Sequence, residues 1–321
     1  MGEFDLIERY FKKPVRHADL GIGDDCALLS TAPGHQLAIS TDMLVEGRHF
    51  LSTVQPSHLG HKALAVNLSD LAACGAQPKA FLLSLAMPRA DAHWLEGFSQ
   101  GLFELAQQHD CELIGGDTTQ GPLNISITVL GEVPQGQALL RSGAQAGDDL
   151  YVSGTVGDAR LALEAFRGHI SLPETVLQSA RARMETPTPR VQLGMALRGI
   201  ASAAADISDG LLGDLGHILK ASGVGARIEW PLAASLLGSR TRWSCPMALA
   251  QTCVLSGGDD YELVFTAPAS RREQVAAAAA RTQTPVTRIG TVVAQSGMEV
   301  LDGQGQALPG PFASFDHFVS P

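Results

Sequence analysis

The stretch AISTDML, residues 38–44, is an apolar strand that runs into three consecutive oxygen-bearing side chains, Ser40, Thr41 and Asp42. Neighbouring side chains of an extended chain point to opposite faces, so Thr41 and Asp42 alternate across the strand. The same combination, an apolar run meeting carboxylates beside Gly, Ser or Thr, recurs at GIGDDCALL (21–29), IGGDTT (114–119), DISDGLL (206–212) and LSGGDDYELVF (255–265). A carboxylate at the end of a buried strand is costly to desolvate unless a positive partner compensates it. Magnesium takes oxygen ligands, keeps several waters and is commonly shared by one or two carboxylates with substrate phosphate. Five scattered acidic clusters therefore point to several cations and to phosphoryl transfer.

Length and composition bound the rest. A chain of 321 residues exceeds what one core usually supports, and two domains of about 150 residues are expected. With 45% apolar and 17% charged residues, 34 Gly and 17 Pro, it suits a loop-punctuated α/β or α+β protein. A formal net charge of −10, with no Lys/Arg stripe, opposes binding to nucleic acid or to an anionic membrane. Five cysteines, odd in number and never in a C-x-x-C pair, read as reduced core thiols rather than as disulfides or a zinc site. The N-terminal segment has no apolar signal core, and no stretch reaches the roughly 18 apolar residues of a membrane span. A cytoplasmic location is expected.

Strand-like runs are expected at 26–29, 36–40, 80–86 and 123–132, with one helix capped by Ser57 that ends at Gly75 and another over 91–110. On the first helix Asn67 and Asp70 lie three apart and share one side. The Gly- and Pro-containing stretch 133–150 reads as the passage between domains 1–138 and 139–321. The second half begins with the strand LYVSGTVG and continues with a helix from Asp158 to Arg167, another after PTPR (187–190) and one ending near Gly223. Further strands are expected at 226–230, 263–266 and 286–293. Two similar α+β units facing each other across a cleft would account for acidic clusters in both halves.

Each cluster also has a plain structural explanation. GIGDDC is turn chemistry, and IGGDTT could be a bend whose glycines instead let a phosphate reach backbone N–H groups, with Asp117 holding the shared cation. In DISDGLL, Asp206 or Asp209 could cap the following helix, with Asp209 in its first turn. Asp259 and Asp260 of LSGGDDYELVF should repel each other unless a cation or substrate charge lies between them. Familiar phosphate motifs are missing: there is no G-x-x-x-x-G-K-[ST], no third glycine of a dinucleotide fingerprint, and no kinase H-R-D or D-F-G. Without G-x-S-x-G or a cysteine in an electropositive setting, no nucleophile-base pair is expected. Among ten histidines, His49 in LVEGRHF stands out, because with Arg48 it could meet a substrate near Asp42.

Read in order, GIGDDCALL, AISTDMLVEGRHF, HKALAVNLSDLAACGAQP, LIGGDTTQGPL, RSGAQAGD, DISDGLLGDLGHI and SGGDDYEL closely resemble the thiamine-monophosphate kinase family over nearly the whole chain. That family belongs to the superfamily of aminoimidazole ribonucleotide synthetase and selenophosphate synthetase. The resemblance implies a two-domain α+β fold, with an N-terminal mixed sheet and helices, a C-terminal α+β domain, and the active site in the cleft between them. It implies transfer of the γ-phosphate of ATP to thiamine monophosphate with several Mg²⁺ ions, and a homodimer formed through the N-terminal domain. By motif, Asp25, Ser40, Thr41, Asp42, Asp70, Asp117, Asp206 and Asp209 resemble metal ligands. Gly116, Asp117, Arg141 and Ser208 resemble nucleotide contacts, and His49, Asp259 and Phe312 would sit at the thiamine end. This chain has SGGDDYEL where many members have SGGEDYEL, and Phe312 where some have Trp. The competing readings are another ATP-dependent member of the superfamily and a non-catalytic nucleotide or metal binder.

Overall fold

The computed structural model describes residues 2–23, 26–241 and 243–310. Its contacts divide the chain into one unit of Met1–Leu71 with Ala76–Gly136 and another of Ala72–Gly75 with Gln137–Pro321.

The first unit contains α1 (Glu3–Leu6), β1 (His35–Val45), α2 (Pro56–Ala73), β2 (Gln77–Met87), α3 (Ala92–Gln108), β3 (Glu112–Gln120) and β4 (Asn124–Pro134). Among the described residues these strands form a four-stranded sheet in the order β1-β4-β2-β3, antiparallel except for the β2/β3 pair. α2 is apolar nearly all round and its residues Leu59 to Ala72 are almost entirely buried, so it is a core helix rather than a surface one. α3 starts where Asp91 accepts the amides of His93 and Trp94, as an N-cap should.

Three expectations change here. AISTDML lies inside β1 rather than at its end, because Thr41 to Val45 continue the antiparallel ladder with Asn124 to Thr128. GGDTT lies inside β3, where the parallel pairing with β2 overrides the weak strand preference of Gly and Asp. A side chain on Gly116 (φ 146°) would collide with the Leu83 backbone, so the neighbouring strand alone requires this glycine. The expected strand at 26–29 contributes only an isolated bridge, Leu20 to Leu28.

The second unit contains β5 (Asp148–Ser153), α4 (Asp158–Phe166), α5 (Glu174–Glu185), α6 (Val191–Ala196), β6 (Ala203–Ile207), α7 (Leu211–Ser222), β7 (Gly225–Glu229) and α8 (Trp230–Ala233). It continues with α9 (Met247–Ser256), β8 (Glu262–Pro268), α10 (Arg272–Arg281), β9 (Val286–Val293) and β10 (Gly297–Leu301). Among the described residues the strands make a six-stranded sheet, β10-β7-β9-β5-β8-β6, antiparallel except for β10/β7. Leu150, Val152, Leu161, Ile207, Leu215, Val254 and Ile289 are among the fully buried residues of its core.

One buried carboxylate, Asp149 near the start of the interior strand β5, makes a pH prediction. Asp149 accepts Arg272 Nε at 2.6 Å and Nη2 at 2.8 Å, and this bidentate contact leads the interactions that hold its carboxyl below the usual range. A depressed carboxyl adds stability that is present above its unfolded pKa and is lost as pH falls through the lower folded one. The thermal midpoint of the wild type should therefore fall below about pH 4, and Arg272→Ala should flatten that dependence. An identical acid limb in both proteins would contradict the assignment.

Candidate active site

Because α2 packs into the core of the first unit, it carries polar side chains to β1. Ser40 Oγ donates to Asp70 Oδ2 at 2.5 Å. The Asp42 amide donates to Asn67 Oδ1 at 3.0 Å, and Asn67 Nδ2 donates to the Ala63 carbonyl at 3.0 Å. Asn67 is fully buried, so it fixes β1 against the helix while Asp42 and Asp70 remain partly accessible. Ser40, Asp42 and Asp70 are thus brought together on one face of the sheet.

Thr41 points to the opposite face, donating to the Ile127 carbonyl at 3.0 Å and accepting from Thr128 Oγ1 at 3.1 Å. Asp117 pairs with Ser84, Ser84 with Ser126 and Ser126 with Met43, a register that puts Asp117 on the Thr41 face. The expected ligands of this unit therefore divide between two faces. His49 Nδ1 accepts the Val45 amide at 3.0 Å, and its carbonyl accepts Lys62 Nζ at 3.2 Å, which ties the turn after β1 to α2. Lys62 is only 2% exposed. Asp25 and Phe312 lie outside the described residues.

In the second unit, DISDGLL is the end of β6 and the turn into α7. Asp206 is buried at the strand end, and Ser208 and Asp209 are partly accessible. The helix begins at Leu211 with Gly210 as N-cap, so Asp209 precedes its first turn instead of lying within it. Neither Asp206 nor Asp209 caps the helix by side chain. Asp214 Oδ2 instead accepts the amides of Ser208 at 3.0 Å and Asp209 at 3.1 Å. Burial foremost, and then the Asp209 charge, push the Asp214 carboxyl up to about 7, while those two amides and Arg141 pull it down. Arg141 thus belongs to the electrostatic surroundings of this turn. Its segment is anchored where Ala204 donates to the Leu140 carbonyl at 2.9 Å and Ser222 Oγ donates to the Arg141 carbonyl at 3.2 Å.

The LSGGDDYELVF turn is fastened to the same loop. The Asp259 amide donates to the Ser208 carbonyl and the Tyr261 amide to the Ile207 carbonyl, both at 2.8 Å. Gly258 passes so close to the Ser208 carbonyl that a side chain there would collide with it. The paired carboxylates do not face each other across a charge, as adjacency suggested. Asp260 is fully buried and takes the Gly157 amide with both oxygens at 2.9 Å, at the start of α4, while Asp259 stays partly accessible. Burial raises the Asp260 carboxyl well above the ordinary range, with the Gly157 hydrogen bond and Arg183 opposing. Glu262, also fully buried, meets Arg190 through two contacts of 2.6 Å, Arg183 at 2.8 Å and Ser153 Oγ at 2.6 Å.

The donor set fits a hard divalent cation. Ser40, Asp42 and Asp70 offer only oxygen, as do Asp206 and Asp209. Among the described residues no three His, Cys, Asp or Glu side chains gather into a group that could hold a metal ion by themselves. Asn67, Asp214 and Asp260 were not assigned roles from sequence. Asn67 carried a signal in its helical spacing from Asp70 and Asp260 in its adjacency to Asp259, whereas Asp214 carried none.

Comparison with known proteins identifies the family of the chain. The chain matches the family model described as AIR synthase related protein, N-terminal domain, over residues 23–133, and its C-terminal domain counterpart over 145–303. It is 46% identical over 335 residues to the thiamine-monophosphate kinase of Salmonella typhimurium, covering 100% of this chain and 99% of that protein. It is similar to the crystal structure of thiamine-monophosphate kinase from Stenotrophomonas maltophilia K279a, with 46% identity and a TM-score of 0.83 over 91% of this chain and 92% of that one. It is also similar to AaThiL complexed with AMPPCP and TMP, with 30% identity and a TM-score of 0.75 over 98% of this chain and 96% of that one. An N-terminal and a C-terminal AIR synthase related domain, with full-length likeness to these kinases, place the chain in the thiamine-monophosphate kinase family.

Proposed function

We propose that this chain phosphorylates thiamine monophosphate with ATP, giving thiamine diphosphate and ADP. The observation that carries the reading is the oxygen-donor set Ser40, Asp42 and Asp70, held on one sheet face by α2. The full-length kinase relatives, and the similar protein complexed with AMPPCP and TMP, supply the substrate class.

Ser40, Asp42 and Asp70 would hold Mg²⁺ in the first unit, with Asp25 as a further ligand, while Thr41 and Asp117, on the opposite sheet face, would serve a separate ion; Asp206 and Asp209 would hold Mg²⁺ in the second. Bound magnesium neutralises charge on the phosphates and orients them. The protein's own contribution is positioning. Arg141 offers a planar fork for phosphate oxygens, while Ser208 and the backbone at Gly116 contact the nucleotide. His49, Asp259 and Phe312 take the thiamine end, where a carboxylate complements the cationic thiazolium ring. An oxygen of the acceptor phosphate forms the new bond to the γ-phosphorus in line with the bond that breaks, and ADP leaves with that electron pair. The acceptor is already ionised near neutral pH, so no general base is needed. Product analysis with thiamine monophosphate, free thiamine or no acceptor tests this reading. Thiamine diphosphate should form only with the monophosphate, and ADP release independent of acceptor would refute it.

The partner surface follows from β1, an edge strand whose outer face shows Leu37, Ile39, Met43 and Val45, with Ile39 61% and Met43 54% exposed. A long apolar edge is an aggregation liability unless it is covered, and a second copy of the chain would cover it. The wild type should sediment as a dimer and Ile39→Lys as a monomer. A monomeric wild type at micromolar concentration would contradict the pairing. A cytoplasmic setting accords with five free cysteines, and no described helix is long and apolar enough to cross a membrane.

A further inference from the structure

Asp214 is a buried carboxylate that the phosphoryl-transfer scheme leaves without a task. It stands in the first turn of α7 and is 4% exposed. Asp214 reaches back past the N-cap Gly210 to the amides of Ser208 and Asp209, both outside the helix. The other side of that loop is equally committed, because the Ser208 carbonyl accepts the Asp259 amide and the Ile207 carbonyl the Tyr261 amide. Asp259 and Tyr261 both adopt left-handed backbone, with φ of 70° and 53°. Non-glycine residues persist in that region only where their surroundings enforce it, at a cost of order 1 kcal/mol or more each. A continuous series of hydrogen bonds thus runs from α7 through the 206–210 loop into the 257–261 turn.

We propose that Asp214 is a positioning residue for both acidic loops. It holds Ser208 and Asp209 for the nucleotide and, through the Ser208 carbonyl, Asp259 for the acceptor. The inference rests on the function proposed above and assigns Asp214 no contact with substrate. It differs from a purely structural role because its loss should weaken two substrates together.

The test compares Asp214→Ala and Asp214→Asn in the full-length protein. Asparagine keeps one acceptor oxygen of the same shape. The alanine variant should raise KM for Mg·ATP and for thiamine monophosphate about tenfold each, a loss of about 1.4 kcal/mol per substrate, and asparagine should restore both to within about threefold. Amide hydrogen exchange at Ser208, Asp209 and Asp259 should accelerate in the alanine variant. A folded alanine variant with both KM values within twofold of wild type would overturn the proposal, even if its melting temperature fell. Should alanine not fold, Asp214→Glu carries the test: its longer side chain displaces the two amides, and unchanged KM values would again overturn the proposal. Calorimetric titration with Mg·ADP separates this inference from the function it rests on. If the wild type makes no thiamine diphosphate, the functional reading fails. Unchanged Mg·ADP affinity in a folded Asp214 variant then overturns the positioning role, and weakened affinity upholds it for the nucleotide loop.

Discussion

Asp42→Asn should lower kcat by about a thousandfold, roughly 4 kcal/mol of transition-state stabilisation, while the melting temperature stays within a few degrees of wild type. The two effects separate because Asp42 meets its neighbours in two ways. Its backbone amide is bound by the buried Asn67, which keeps β1 in register with α2 whatever side chain stands there. Its carboxylate lies on the same sheet face as Ser40 and Asp70, where the proposed chemistry needs negative charge to hold a cation against the phosphates. Asparagine preserves shape and removes that charge. Activity within tenfold of wild type, measured at saturating Mg·ATP and thiamine monophosphate, would remove Asp42 from the ligand set.

Glu262→Ala should have the largest effect on stability, about 3–5 kcal/mol, since it strands two guanidinium groups. Glu262 is fully buried, and both oxygens are engaged by Arg190, with Arg183 and Ser153 completing the shell. Arg183 and Arg190 have side-chain exposures of only 19% and 16%, so neither can readily recover water once its partner is gone. Gly154 packs against the same carboxylate, and even a methyl group there would strike it. For a unit of this size the loss corresponds to a melting-temperature decrease of roughly 10 °C. Ser153 Oγ also donates to Glu262 while accepting the Leu263 amide, so the damage should extend into β8 beside the Asp259 turn. A decrease below 2 °C, followed by differential scanning calorimetry, would show that the cluster is not holding the second unit together.

How much of this was legible in the sequence depends on how local the cause was. The helix over 91–110 is a local matter: Asp91 caps the amides it should, and the element runs from Ala92 to Gln108. The placing of Asn67 and Asp70 on one helix side is likewise set by helical spacing, and in the structure both reach β1. β3 was hidden because Gly-Gly-Asp is local turn chemistry, whereas its strand conformation comes from Leu82 to Met87 on a neighbour about thirty residues away. β1 outran its expected end for the same reason, its polar residues being carried by the ladder to β4.

The acidic clusters were visible by composition, yet the division of labour within them was not. Asp259 and Asp260 are adjacent and chemically identical, and only the left-handed backbone and the amide of Gly157, about a hundred residues away, send one to the core and leave the other accessible. In DISDGLL the apparent caps, Asp206 and Asp209, do not cap the helix by side chain, and Asp214 reaches back over Gly210 to amides outside it, which no spacing rule announces. The separation of Asp117 from Asp42 onto opposite sheet faces follows from register across four strands, which is a tertiary property.

Direct transfer from ATP to thiamine monophosphate can be followed with γ-³²P-labelled ATP. Incubated with the wild type, Mg²⁺ and thiamine monophosphate, the label should appear in thiamine diphosphate in amounts equal to the ADP formed, with none on the protein after denaturing gel electrophoresis. Label recovered as inorganic phosphate without acceptor, or retained covalently on the chain, would contradict it.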